Sequence, residues 1–394
     1  MNELRAELQE WRRALERVLP GWVLAYWTRV LAVILIGIGI VLPFFFTELS
    51  GFMNATIIAM ALAVMSLGLN IVVGFAGLLD LGYVAFYALG AYSLGWFGSG
   101  FFFKAHVHVG VSPLASMLPG IHLNFLLILI AAAAICAVAG IIIGLPTLRL
   151  RGDYIAIVTL GFGEIIAVVA VNGQDVHLGG GMTLTAGNLG IPVVDAPYLF
   201  GLQFTQLNLR YWYWLILAIL LVVVCVNLQL RRSRLGRAWV ALREDEVAAV
   251  SMGVPAVRTK LLAYATGAAM GGMSGAFFGA YYTTVNAGQF AFGFSILILS
   301  MVIIGGLGSI WGAVAGGLVV GYINYYLIPD VLNDLPAKVG LHFKLTDVNF
   351  GIYGFLLVLV MVLRPQGLLP ERRRRLEITG KIGAHDAELS EPNV

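Results

Sequence analysis

The sequence predicts an all-α, polytopic membrane helix bundle of about ten transmembrane helices, and three observations carry that class. The 394 residues are 60% hydrophobic and only 11% charged, with a mean hydropathy of +0.90. Soluble domains average about 25% charged and roughly 45–50% apolar residues. Apolar runs of about 20 residues, each long enough to span a bilayer, recur along the whole chain. The basic residues segregate to alternate connections. A water-soluble fold of this size could not enclose so much apolar surface, so the bilayer is the solvent. The 48 glycines, well above the roughly 7% average, suit close helix contacts or interrupted helices.

Taken in chain order, residues 1–28 form a cytoplasmic amphipathic segment. Within residues 3–19, Leu4, Leu8, Trp11, Leu15 and Val18 recur at helical spacing among charged neighbours, which suits a helix lying on the membrane surface. Trp22, Tyr26 and Trp27 supply an interfacial belt. A cleaved signal peptide is not expected, because the basic stretch is too long and no small-residue cleavage site follows. The transmembrane domain occupies 29–370. Its expected crossings are about 29–46, 53–73, 75–98, 124–145, 154–172, 211–229, 261–285, 290–306, 308–328 and 348–363. With the amino terminus inside, all but Lys104, Arg210, Lys338 and Lys344 of the 24 Lys and Arg fall on the cytoplasmic side. That asymmetry places both termini in the cytoplasm. Residues 286–328 can be two short crossings or one broken, partly re-entrant helix; the charge balance favours two. Residues 371–394 read as a basic, then disordered tail. Cys136 and Cys225 lie in separate apolar runs and read as packed thiols.

Residues 230–260 form the one sizeable polar loop on the basic side. From about Arg237 to Met252 it lacks Gly and Pro, and Gly253 and Pro255 then supply stop signals. Small residues such as Ala248 and Ala249 alternate with Arg243, Glu244, Asp245 and Glu246. A rod of this kind can press into a groove on another protein while its charges set orientation. It can equally be a solvated connection beside lipid headgroups.

A resemblance bears on that choice. The string Glu246-Val247-Ala248-Ala249-Val250-Ser251-Met252-Gly253 resembles the E-A-A-x-x-x-G coupling loop of bacterial ABC importer permeases, with Val247 replacing a small residue. More closely, Gly236 to Gly253, Asn70 to Gly77, Leu81 to Tyr92, Leu148 to Glu164, Gly305 to Gly312 and Arg364 to Leu368 are similar to the branched-chain amino acid permease family. They follow the order of its second permease and cover roughly 53–370. The resemblance implies a type II ABC importer permease fold in the bacterial inner membrane. It implies a second related permease, two ATP-binding-cassette ATPases and an external solute-binding protein as partners, with ATP and Mg held by the ATPases and no cofactor on this chain. Arg243, Glu244, Asp245, Glu246, Ala248, Ala249 and Gly253 would then couple to the ATPase. The segment Leu184 to Ile191 departs from the family's Thr-Gly-Gly-rich stretch, which leaves the substrate open within the class.

The remaining residues limit the chemistry. Gly380-Lys381 lacks the upstream glycine of a phosphate-binding loop, so ATP would have to be hydrolysed elsewhere. With no nucleophilic triad and no metal-ligand spacing, an enzyme is not expected, and no metal site is expected either. Asp80 and Glu164 fall within the apolar runs and should face the bundle interior. Glu164 either lines the pathway or is satisfied by a neighbouring helix such as that carrying Asn70. Asn70, Gly74, Gly77, Gly305, Gly306 and Gly308 are candidates for unwound or tightly packed helix near the pathway. His106, His108 and His122 read as solvated loop residues on the external face, where 99–123, 173–210 and 329–347 would receive a binding protein. The expected function is import of branched-chain or related amino acids. The alternatives are an importer for urea, an amide or a sugar, or an ion-coupled transporter acting alone.

Overall fold

The computed structural model describes residues 37, 39–47, 50–113, 115–148, 154–179, 181–199, 201–333, 348–363 and 367–369. The amphipathic segment 1–28, the arginines at 149 and 151, the Arg364-Pro365-Gln366 string and the tail 371–394 lie outside the described residues. So does half of the first expected crossing, residues 29–36 and 38.

Ser50 starts the bundle by accepting the backbone amide of Met53 on its side chain at 3.2 Å. Helix α1 (Gly51–Leu69) follows and runs into a wider π-helical turn, Asn70–Phe75. A short loop leads to α2 (Val84–Phe97), and then come α3 (Phe125–Thr147), α4 (Tyr154–Asn172) and α5 (Leu209–Arg232). Two short helices, α6 (Arg234–Glu244) and α7 (Glu246–Ser251), precede α8 (Ala256–Tyr282). The last are α9 (Phe292–Gly305), α10 (Ile310–Tyr322), extended by a π-helical stretch Ile323–Leu332, and α11 (Asn349–Leu363). Six of these segments are long and apolar enough to cross a membrane, and three apolar helices are shorter.

Helices α1, α2 and α8 form the centre. The most apolar window of α1 with its π-helical turn is 94% buried, so this helix is enclosed by protein. Glycine permits the approach. A Cβ on Gly90 would lie 2.1 Å from the Gly272 carbonyl oxygen, and one on Gly275 would lie 2.1 Å from that of Tyr87. Helices α9 and α10 form an antiparallel hairpin turning at 306–309, because a Cβ on Gly305 would strike Gly312 and one on Gly316 would strike Met301. Residues 292–322 thus form two helices back to back, an arrangement common to both readings of 286–328.

One end of the bundle carries short strands that the all-α expectation did not contain. β1 (Gly98–Ser99), β3 (Gly120–Leu123) and β2 (His106–Val109) make a three-stranded sheet in that order. Further along, β4 (His177–Gly179) pairs with β5 (Met182–Thr183), and β7 (Tyr198–Leu199) with β8 (Leu202–Gln203). β6 (Ile191–Pro192) pairs with β9 (Thr284–Val285), tying the 173–208 connection to the end of α8. These strands are too short for a period-2 pattern to announce them. α6 and α7 sit at the opposite end. Cys136 is buried, as expected, but Cys225 is exposed on the flank of α5, which corrects its reading as a packed thiol.

Candidate coupling site and pathway residues

The 230–260 loop is not the single rod that its composition suggests. Asp245 adopts an extended conformation (φ −151°, ψ 106°) and divides it into α6 and α7. The division is locally encoded: the Asp245 carboxylate accepts the Ala248 amide at 2.9 Å and so caps α7. Gly253, at φ +87°, closes α7 in a conformation that β-carbon-bearing residues rarely adopt. Buried Trp239 fixes α6 to the bundle by donating its indole N–H to the Thr259 carbonyl at 2.7 Å. Lys260 donates to Glu246 at 2.7 Å and anchors the start of α7. Ala249 turns inward, whereas Ala248 is exposed. Val247 (77% exposed) and Met252 (86% exposed) project outward, an apolar knob at the tip of a charged loop.

The charged cluster divides its work. The Arg243 guanidinium donates to the Gly74 carbonyl, and its stem lies over Gly77, where a Cβ would meet Arg243 Cγ at 2.7 Å. Glu244 is exposed. Asp245 and Glu246 hold the loop together, as above, so their roles within the chain are structural as well as charged.

Gly74 belongs to the π-helical turn, and there the two glycine-rich regions named from the sequence meet. Buried Asn70 accepts the Gly308 amide at 2.9 Å and donates to the Ser309 carbonyl at 3.4 Å. A Cβ on Gly74 would fall 2.7 Å from the Gly308 nitrogen. Leu368 and Leu369 donate to the carbonyls of Ile304 and Gly305, at 2.8 and 3.0 Å. Gly306 (φ +120°) and Gly308 (φ +80°) make the unwound turn itself. Asn70, Gly74, Gly305, Gly306 and Gly308 therefore form one knot, with Gly77 and Arg243 beside it.

Asp80 is buried in the loop before α2, accepting the Gly82 amide at 2.9 Å. Glu164 departs from the expectation that it faces the interior. It is exposed on α4, and Asn70, its suggested partner, is engaged with the α9–α10 turn instead.

At the strand end, His122 is only 1% exposed and its Nδ1 lies 2.6 Å from an Asp195 oxygen. The His108 ring stacks on it at 5.3 Å. Desolvation holds the Asp195 carboxyl above the usual carboxylate range, against the lowering effect of the His122 bond. The solvated reading fails for His122. Sequence reasoning missed this pair because its members are 73 residues apart and meet only once β3 forms. Trp239 and Ser309 were missed similarly, although Ser309 opens α10 by accepting the Gly312 amide at 3.0 Å, a recognisable cap signal. Among the described residues no group of three or more His, Cys, Asp or Glu is placed to hold a metal.

Among the described residues, six membrane-length helices, the buried α1 among them, with connections gathered at two ends, define a multi-pass membrane protein. Residues 51–361 match the family described as branched-chain amino acid transport system / permease component, and the chain belongs to that family. The chain is 33% identical over 385 residues to the high-affinity branched-chain amino acid transport system permease protein LivM of Escherichia coli K12, covering 91% of this chain and 79% of the relative. It is 24% identical to the probable LivM of Methanocaldococcus jannaschii, over 81% of this chain and 95% of the relative. It is also 27% identical to LivH of E. coli K12, another permease protein of such a system, over 52% of this chain and 64% of the relative. No solved structure matches. The relatives are transport permeases, and this chain is a transport subunit rather than an enzyme.

Proposed function

We propose that this chain is one of two permeases of an ATP-driven importer for branched-chain or related amino acids in the bacterial inner membrane. It crosses ten times with both termini cytoplasmic, the strand end receives an external solute-binding protein, and the α6–α7 end meets the ATPases. ATP and Mg are held by those ATPases, and this chain binds no cofactor. Arg243, Glu244, Asp245, Glu246, Ala248, Ala249 and Gly253 form or flank the contact. The observation that carries the reading is the α7 tip: a capped, internally braced helix that leaves Val247 and Met252 almost fully exposed. Large apolar side chains held outward by a rigid support suit a protein partner. Support for the second permease comes from the similarity to both LivM and LivH. Support for the orientation comes from the basic residues gathered around α6 and α7.

The test replaces the knob and leaves its support intact. Val247→Asp with Met252→Asp is expected to abolish copurification of the ATPase subunits and ATP-dependent leucine uptake, while the two permeases still copurify. Retained ATPase binding in that double variant would overturn the coupling assignment.

A further inference from the structure

Among the described residues, helix α4 is held on one side only. Its inner side presses on the loop before α2, where a Cβ on Gly82 would lie 1.9 Å from the Thr159 carbonyl oxygen and 3.1 Å from the Gly163 nitrogen. The other side is exposed along the helix: Tyr154 (68%), Ile157 (62%), Ile165 (55%) and Val168 (54%) follow one another at helical spacing. Gly161 and Glu164 lie on the same stripe, and nothing within 4 Å would meet a Cβ at Gly161. Glu164 is ten residues into a 19-residue helix, so its Cα sits about 15 Å along an axis of about 28 Å, at the middle of the bilayer. Among the described residues it forms no hydrogen bond or ion pair.

A carboxylate at that depth is costly against lipid and is found facing a bundle interior or a water-filled cavity. Among the described residues no such interior surrounds Glu164, and the assembled transporter is the natural place for one. The stripe has a particular chemistry as well: a single anion among branched aliphatic side chains. An amino acid with an aliphatic side chain presents the complement, a cationic ammonium group and a compact apolar side chain.

We propose that Glu164 lines the aqueous path between this chain and the second permease and pairs with the ammonium group of the passing aliphatic amino acid. Ile157, Ile165 and Val168 form the apolar wall that its side chain slides along. The inference rests on the amino-acid importer reading and adds the residue that recognises the substrate's cationic end. A charge-assisted contact of this kind, made in a site that excludes most water, discriminates against a solute lacking the ammonium.

The experiment uses the assembled complex in proteoliposomes. Glu164→Cys, in a Cys225→Ala background because Cys225 is exposed, is treated with a cationic, membrane-impermeant methanethiosulfonate or with a lipid-dissolved pyrene maleimide. Reaction with the aqueous reagent is expected; reaction with the lipid reagent alone overturns the proposal. In parallel, Glu164→Gln is expected to lower leucine uptake at least tenfold with the second permease still copurifying, and Glu164→Asp to restore part of it. Wild-type uptake by Glu164→Gln overturns the proposal. Leucine uptake by the unaltered complex is measured first: its absence overturns the amino-acid reading and the ammonium contact with it, while the labelling at 164 independently decides whether that face is wet.

Discussion

Asn70 uses both ends of its amide, and both bonds reach across 238 or more residues of sequence to the α9–α10 turn. A buried polar group that loses its partner retains the desolvation penalty, about 1–3 kcal/mol. Asn70→Leu strands the Gly308 amide and is expected to lower the thermal midpoint of the detergent-purified complex, followed by intrinsic fluorescence. An unchanged midpoint would mean that the contact is dispensable. Asp195→Ala is expected to act more locally. It leaves buried His122 without its carboxylate, so the 98–123 sheet should exchange its amides faster while the bundle does not. Uniform acceleration, or none, would contradict that. The two residues differ in how far they could be read. An asparagine inside an apolar run announces a polar contact, although not with whom. His122 sits among other loop histidines, and only the pairing of β2 with β3 buries it.

Helices were legible where hydropathy alone decides. The expected crossing 154–172 coincides with α4, and 124–145 with α3 to within a few residues. Boundaries shifted wherever a glycine turn or a cap intervened. The crossing expected from 75 begins as a helix only at Val84, because residues 76–83 form the loop that holds Gly77 and Asp80. The α6–α7 break escaped notice because Asp245 reads equally well as a helix residue and as a cap; which of these it is depends on the backbone around it. Glycine count likewise could not distinguish packing positions from idle ones, and the structure does. A Cβ on Gly316 would lie 2.0 Å from the Met301 carbonyl, whereas one on Gly354 in α11 meets nothing within 4 Å. Gly316→Val is therefore expected to prevent the α9–α10 hairpin from closing and to abolish recovery of folded protein. Gly354→Ala should be tolerated, with a gain of up to about 0.5–1 kcal/mol from reduced unfolded-state freedom. Equal yields from the two variants, read by size-exclusion chromatography in detergent, would refute the hairpin packing.

Across the molecule, these contacts line up between the α7 tip and the bundle. Glu246 and Lys260 join α7 to the first turns of α8, and Trp239 joins α6 to the same helix. Arg243 then bridges from the end of α6 to the Gly74 carbonyl, inside a π-helical turn. Such turns, closed by i→i+5 bonds, are locally underwound and recur at functional positions. At the start of the same π-helical turn, Asn70 clasps the unwound Gly306–Ser309 turn. A force applied to α7 thus has two routes into the bundle. One is stiff and runs along α8. The other passes through a single side chain to two backbone irregularities that can rearrange. If the second route carries the signal, removing Arg243 should separate binding from transport. Arg243→Ala is expected to copurify with the ATPases, since the exposed knob is untouched, and yet to lose at least tenfold in ATP-dependent uptake measured in the same proteoliposomes. Arg243→Lys can replace the charge but not the forked donor geometry, so it should recover only part of the rate. Uptake at the wild-type rate by Arg243→Ala would leave α8 as the sole lever and reduce the Gly74 contact to a packing detail.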